Sequence, residues 1–189
     1  MLLLTITNAI VSPSVTPSFQ RAEVLASLTS IILIALSLII KEAKVKDKNK
    51  VVLKGEQGLI INDKINDLLK NELAWGSHLI LTATAACTIL IYFNEDIILR
   101  RGMITQNKFI PGPICMRSSN TGDIISLVNT KMFPGRIEFD PILENLPSIL
   151  VCPIAKKGYL IVGGCSERSF TKSDEIWIEG WAKKIYSLI

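Results

Sequence analysis

The feature that most constrains this chain is an uncharged apolar run from Val24 to Ile40, VLASLTSIILIALSLII. At about 1.5 Å per residue, a helix of this length covers roughly 25 Å, which is sufficient for a bilayer core. The run has no polar face at helical spacing, and charged residues that can anchor at an interface flank it. The sequence therefore predicts a membrane helix at residues 24–40, with a buried core helix as the alternative.

Positive charge is concentrated directly after this run. Residues 41–54 carry six lysines against two acidic residues, and the resulting +4 equals the formal net charge of the whole chain. The positive-inside rule then places the larger, C-terminal part on the cytoplasmic or stromal side. Because residues 55–189 carry no net charge, we interpret residues 41–54 as a basic juxtamembrane linker and expect no nucleic-acid partner.

The first 23 residues are interpreted as an apolar stub followed by a loop. The apolar run from Leu2 to Val11 is too short to span a bilayer. It fits the apolar region of a signal peptide, a shortened first membrane helix or a re-entrant segment, and Pro13 and Pro17 end it in each case.

Residues 55–189 are predicted to form an α+β domain, an antiparallel sheet with helices packed on one face. Two pairs of strand-like runs predict hairpins, Thr88–Phe93 with Ile97–Arg101 and Ile149–Ile154 with Tyr159–Val162. Helices are predicted after Asn62, over Asp123–Thr130 and from Ser173. The last of these has an apolar stripe formed by Trp177, Trp181, Ile185 and Leu188. The segment Val51–Ile61 is interpreted as turn-bearing.

Little in the sequence favours catalysis or a metal centre. His78 is the only histidine, and the four cysteines are scattered without a Cys-x-x-Cys motif, so we predict no catalytic residue, no metal site and no disulfide. Arg100 and Arg101 suit an acidic group such as a propionate or phosphate, although paired arginines at the end of an edge strand also serve solubility.

The C-terminal part carries a recognisable order of residues. A hydrophobic strand leads into Gly163-Gly164, then into the pattern Arg168-x-Phe170-x-x-x-Asp174 and an amphipathic helix. This order resembles the end of GAF domains, in which the phenylalanine anchors the turn to the core and the aspartate starts the last helix.

Four longer segments are similar to the cofactor assembly of complex C family (its B-type members) of cyanobacteria and plastids: QRAEVLA, GEQG, ELAWGSHLILTATAACTILIYFNEDIILRRG and GGCSERSFTKSDEIWIEGWAKKI. The resemblance implies a thylakoid membrane protein with a GAF-like soluble region on the stromal or cytoplasmic side. Such proteins help to attach a covalent heme to the b-type cytochrome of the cytochrome b6f complex. The resemblance also implies a hairpin of two membrane helices at the start of the chain. Residues 1–11 depart from this pattern because they are too short to form the first of the two helices.

The resemblance also implies partners and site residues. The expected partners are apocytochrome b6, homologous assembly factors and the membrane, with heme as a transient cofactor. If this role holds, the cofactor-binding residues would be His78, Arg100 and Arg101, and the partner surface would be Trp75, Arg168 and Trp181. Packing is the alternative for the two tryptophans, and an ion pair with Asp174 or Glu175 is the alternative for Arg168.

Two functional classes remain open. A non-catalytic assembly factor, or a part of a heme lyase complex, is favoured over an enzyme acting alone. The alternative is a membrane-tethered GAF-like sensor that binds a small molecule between the sheet and residues 102–147.

Overall fold

The computed structural model describes residues 6, 7, 10, 16–48 and 53–189. The chain divides into two units, Met1–Lys48 and Asn49–Ile189, and each is described by itself. The apolar stub at Leu2 to Val11 lies largely outside the described residues, so its three interpretations remain predictions.

The first unit contains one long helix, α1, at Pro17–Lys48. Proline suits the first position of a helix because its missing N–H would have no partner there. The segment Gln20–Ile40 is long and apolar enough to cross a membrane. Large apolar side chains along it, such as Leu25, Ile31 and Ile39, are exposed, which favours the membrane helix over the buried core helix.

The second unit is built on one antiparallel sheet in the order β1-β3-β2-β6-β5-β4. The central strand β2 pairs with β3 on one side and with β6 on the other. The strands are β1 Glu56–Ile61, β2 Ala86–Phe93, β3 Asp96–Ile104, β4 Ile125–Leu127, β5 Ser148–Ile154 and β6 Gly158–Gly164.

Both predicted hairpins are confirmed. Strands β2 and β3 are joined by Asn94 and Glu95, whose φ angles of 49° and 67° are those of a type I′ turn. This turn matches the right-handed twist of paired strands, and asparagine tolerates its positive φ well. Strands β5 and β6 pair from Ser148 with Gly164 to Ile154 with Gly158.

Two long helices cover one face of the sheet. Helix α2, Asp67–Ala83, begins at Asn66, whose side chain accepts a hydrogen bond from the N–H of Leu69. Helix α4, Lys172–Leu188, begins with a reciprocal capping box between Thr171 and Asp174. The expectation that Asp174 starts the last helix is thereby confirmed. Phe170 packs against the core on this face, as expected.

Shorter elements cover the opposite face. These are helix α3, Pro113–Thr121, and two 3-10 helices, Thr130–Met132 and Pro134–Phe139. Neighbouring strand residues alternate between the two cores: Ile89 and Ile91 face the long helices, whereas Leu90 faces α3 and the 3-10 helices. The prediction of helices on one face therefore holds for the long helices, and α3 adds a second layer.

Three predictions about secondary structure are wrong. The helix predicted over Asp123–Thr130 is not formed, because Ile125–Leu127 is strand β4 beside β5, and only Thr130 belongs to a 3-10 helix. The segment Val51–Ile61 contains strand β1, which completes the sheet edge against β3. The stripe predicted for the last helix included Trp177, which is exposed; the buried stripe is Ile178, Trp181, Ala182 and Ile185.

Candidate functional site

Helices α2 and α4 approach each other closely where Gly76 meets Trp181. A Cβ atom placed on Gly76 would lie 2.1 Å from Nε1 of Trp181, so only glycine leaves room for the indole. The same Nε1–H donates a hydrogen bond of 3.2 Å to Oε1 of Glu72. Trp181 is therefore buried in the helix-helix contact, as the packing alternative predicted, and one end of its ring borders the surface described next.

An apolar groove of about 460 Å³ runs between the outer sides of α2 and α4. All three tryptophans of the chain line it, and Trp75 and Trp177 are 59% and 76% exposed. We call this surface the aromatic groove; its lining residues are Glu72, Trp75, Gly76, Leu79, Ile80, Ile176, Trp177, Gly180, Trp181 and Lys184. Exposed large aromatic side chains gathered in one place are typical of a surface that binds a partner.

Two charged residues at the edge of the aromatic groove, Glu72 and Lys184, contact each other and two of its tryptophan rings. Nζ of Lys184 lies 2.7 Å from Oε2 of Glu72 and 5.9 Å from the centre of the Trp75 ring. The lysine thus combines an ion pair with a cation-π contact. Glu72 in turn accepts the hydrogen bond of Trp181, so one carboxylate organises both sides of the groove.

His78 and Arg101 lie together, as their joint assignment to one site requires. Arg101 on β3 reaches α2 and donates to the carbonyl of Ala74, to Oγ of Ser77 at 3.2 Å and to Nδ1 of His78 at 3.3 Å. Because arginine has no acceptor, Nδ1 must accept this hydrogen bond, and the neutral imidazole then carries its proton on Nε2.

This tautomer decides what His78 can bind. A heme iron needs the lone pair of an imidazole nitrogen. In the geometry of His78, one nitrogen lone pair is used by Arg101 and the other nitrogen carries the proton. His78 so placed does not fit an iron ligand, whereas its exposed Nε2–H suits a carboxylate. No group of three or more metal-ligating side chains occurs among the residues described.

The structure separates Arg100 from Arg101. Arg100 points to the opposite face of the sheet, where it is 6% exposed and donates to the carbonyls of Thr105, at 2.6 Å, and Asn107. Burial lowers the pKa of its guanidinium. Strand β3 lies between β1 and β2, so the expectation of an edge strand is wrong for both arginines. Arg100 holds backbone and has no place in the His78 cluster.

Arg168 lies apart from the aromatic groove. It occupies the turn after β6 with a φ of 54°, and its N–H donates to the carbonyl of Val128 at 2.7 Å. Among the described residues, Glu175 pairs with Lys172 and Asp174 with Thr171, so the suggested ion pair with Arg168 is not formed.

A second cavity, of about 780 Å³, opens at the end of the sheet beside the two hairpin turns. Its floor is aromatic: Tyr92 contacts Phe109 edge to face at 5.9 Å and lies 6.4 Å from the ring of Tyr159. Partial burial raises the pKa of both tyrosines. We call it the hairpin pocket; it is lined by Tyr92, Asn94, Glu95, Lys108, Phe109, Ile110, Pro111, Met116, Lys156, Lys157 and Tyr159.

Comparison with known proteins decides the family. The model of the CCB2/CCB4 family, described as cofactor assembly of complex C, matches residues 1–185. The chain belongs to this family. The expected resemblance is thereby confirmed, from the first residue almost to the last.

Two relatives from Arabidopsis thaliana carry the name of the same family. The chloroplastic cofactor assembly of complex C protein CCB4 is 23% identical over 89% of this chain. The chloroplastic CCB2 protein is 24% identical over 96% of this chain. This chain spans 61% of the length of the first relative and 72% of the second.

Solved structures confirm the GAF-like fold of this family member. A type II free methionine-R-sulfoxide reductase from Thermoplasma acidophilum matches with a TM-score of 0.52 and 17% identity, over 65% of this chain and 94% of its own. The GAF domain of a phosphoenolpyruvate-protein phosphotransferase from Coxiella burnetii matches with a TM-score of 0.50 and 16% identity, over 67% and 84%. At this identity, the likeness shows the fold alone.

Sequence reasoning missed part of the aromatic groove. It assigned Trp75 and Trp181 to a partner surface, and the groove contains both, but it placed Trp177 in the core and overlooked Glu72 and Lys184. The four-residue spacing of Trp177 and Trp181 suggested one buried stripe, but the buried stripe runs through Ile178, Trp181, Ala182 and Ile185 and leaves Trp177 exposed.

Proposed function

We propose that this chain is a membrane-anchored assembly factor that assists covalent heme attachment to the b-type cytochrome of the cytochrome b6f complex. It acts on the stromal or cytoplasmic side of the thylakoid membrane. The observation that carries this proposal is the family match over residues 1–185. The chloroplastic relatives and the candidate membrane helix support the location, and the lysines that follow this helix support the side.

The aromatic groove is the surface we assign to a protein partner, a homologous assembly factor of the same pathway. Its exposed aromatic residues are costly to leave in water, and a second apolar helix pair would cover them. The ion pair of Glu72 and Lys184 at its edge supplies polar groups that orient the partner. Such a complex would hold apocytochrome b6 at the membrane while its heme is attached.

A membrane anchor makes this role effective without tight binding. It confines the soluble domain to the surface on which the client cytochrome lies, which raises their effective concentration. Heme contact with this chain would be transient and would use donors for the propionates, such as Nε2–H of His78, rather than an iron ligand. Heme is the group that is attached, and the role of this chain is to position the client cytochrome.

The primary test is deletion of the gene in its host, followed by staining of the separated membrane proteins for covalently bound heme. We expect the heme signal of the b-type cytochrome to disappear and to return when the wild-type gene is restored. Normal heme attachment in the deletion strain would refute the proposed function.

The partner surface has its own test with a matched control. We expect Ile176→Asp, in the aromatic groove, to reduce co-purification of the homologous factor by at least about tenfold, since a buried charge costs more than about 1.4 kcal/mol. Ile137→Asp, at a similarly exposed isoleucine on the face of the sheet opposite α2 and α4, should leave co-purification unchanged. Equal retention by the two variants would show that the groove is not the partner surface.

A ligand-binding module is the second candidate function, and the hairpin pocket favours it. Its volume lies within the range of small-molecule sites. Lys108, Lys156 and Lys157 outnumber Glu95 among its charged residues, which suits an anionic ligand with a flat apolar body. Native mass spectrometry of the full chain in detergent would reveal such a ligand after purification, and its absence from every preparation would count against this candidate.

A further inference from the structure

The fold brings two of the four cysteines together at one end of the β2–β6 seam. The pairing of Ala86 with Gly164 is followed by that of Thr88 with Gly163, so Cys87 is an extra residue in a bulge of β2. Cys165 directly follows β6, and its N–H donates to the carbonyl of Ala85 at 3.3 Å. The two residues thus lie on neighbouring strands at the point where regular pairing ends.

The Cys87 thiol donates a hydrogen bond to the carbonyl of Gly163 at 3.4 Å, on the strand that leads into Cys165. The neighbouring Cys165 side chain, followed by burial, raises the pKa of the Cys87 thiol. Both side chains pack against the same core, on the face of the sheet covered by α3.

The other two cysteines are placed differently. Cys152 belongs to the core on the opposite face of the sheet. Cys115 is fully buried on α3, where burial and then a hydrogen bond with Glu138 raise the pKa of its thiol. Cys165 is partly exposed, so the Cys87 and Cys165 pair combines neighbouring positions on paired strands with access from solvent.

We infer that Cys87 and Cys165 form an oxidisable dithiol site, whose co-substrate is a two-electron thiol oxidant such as the exposed disulfide of an exchange protein. Oxidation closes an intramolecular disulfide across the β2–β6 seam. An S–S bond of roughly 2 Å requires the two sulfurs to move together. Gly163 and Gly164 have no side chains to resist this movement, and Cys165 lies beyond the last paired residue of β6.

The exchange balances in two steps. The sulfur of Cys165, the more accessible of the two, loses its proton and attacks one sulfur of the oxidant's disulfide, which releases the other sulfur as a thiolate. The sulfur of Cys87 then loses its proton and attacks Cys165, which releases the second thiolate of the oxidant. The chain gives up two electrons and two protons, and the oxidant becomes a dithiol.

The test uses the full chain in detergent with diamide, which accepts two electrons and two protons from a pair of thiols. After oxidation, remaining thiols are alkylated, and the protein is digested and analysed by mass spectrometry without reduction. We expect a cross-linked peptide pair containing Cys87 and Cys165, with a mass about 2 Da lower than the sum of the two reduced peptides, and reversal by dithiothreitol. Cys115 and Cys152 should remain thiols.

Two variants make the outcome specific. Cys165→Ser, at a partly exposed position, should abolish the cross-link, whereas Cys152→Ser should retain it in full. Circular dichroism verifies that both variants are folded. Alkylation of both Cys87 and Cys165 after diamide treatment of the folded wild-type chain would overturn the inference. So would a predominant disulfide from Cys165 to a second molecule. Neither result bears on the role in heme attachment.

Discussion

Replacement of Gly76 by alanine tests the contact that positions the aromatic groove. The added Cβ would lie 2.1 Å from Nε1 and 2.4 Å from Cε2 of Trp181, far inside van der Waals contact. Overpacking of this kind costs about 1–3 kcal/mol. Moving the indole also weakens its 3.2 Å hydrogen bond to the partly buried Glu72, for roughly a further 1 kcal/mol. Alanine recovers about 1 kcal/mol of helix propensity.

The expected net effect of Gly76→Ala is a loss of about 2 kcal/mol in the free energy of unfolding. In a domain of this size, that corresponds to a fall in Tm of about 5–10 °C. Intrinsic fluorescence is a direct assay, because all three tryptophans of the chain lie in the aromatic groove. Thermal unfolding of the full chain in detergent, followed at the tryptophan emission maximum, gives the comparison.

Gly180 provides the matched control on the facing helix. A Cβ at Gly180 meets no atom within 4 Å, so Gly180→Ala should leave stability unchanged or raise it by up to about 1 kcal/mol. Trp181→Phe removes the atoms that would clash, and the cost of Gly76→Ala should shrink in that background. If the two alanine variants were equally stable, the reasoning from close approach would be refuted.

Three further predictions concern single groups. Glu138→Gln should cost about 1–2 kcal/mol in urea denaturation, because its carboxylate accepts the N–H groups of Gly112, Ile114 and Cys115 at 2.7, 2.9 and 3.1 Å at the start of α3; unchanged stability would contradict this. Thr171→Ala should cost about 1 kcal/mol by removing the capping box of α4, and Thr171→Ser should restore most of it. Burial raises the pKa of Cys152 to about 12, so at pH 8 its thiol is protonated and should react with iodoacetamide only after unfolding; rapid labelling of the folded chain would contradict this.

Local patterns were sufficient for the hairpins and for the last helix. The Asn94 and Glu95 turn and the capping box at Thr171 act within a few residues of themselves, so their signals are visible in the sequence. Strand β4 was mistaken for a helix because Ile125–Leu127 is strand only through its pairing with β5, more than twenty residues later. Helix α3 was missed for a similar reason, since the carboxylate at its start comes from Glu138.

The candidate site was predictable in part. His78 and Trp75 are three residues apart on one helix, and a helical pattern suggests that they are neighbours. The approach of Trp181 through Gly76 is a contact between helices far apart in the chain, which no local pattern reveals. The separation of Arg100 from Arg101 was available in principle, because successive residues of a strand face opposite sides of the sheet.

The placement of Arg100 affects how mutagenesis results for the hairpin pocket should be interpreted. Its guanidinium holds the carbonyls of Thr105 and Asn107, directly before the stretch 108–111 that forms one wall of the pocket. An alanine scan would score this arginine as essential for any molecule bound there, although its side chain is committed to the loop. Comparing Arg100→Lys with a substitution of Lys108 would distinguish the two effects. The first changes the support of the pocket wall, and the second removes a side chain that lines the pocket.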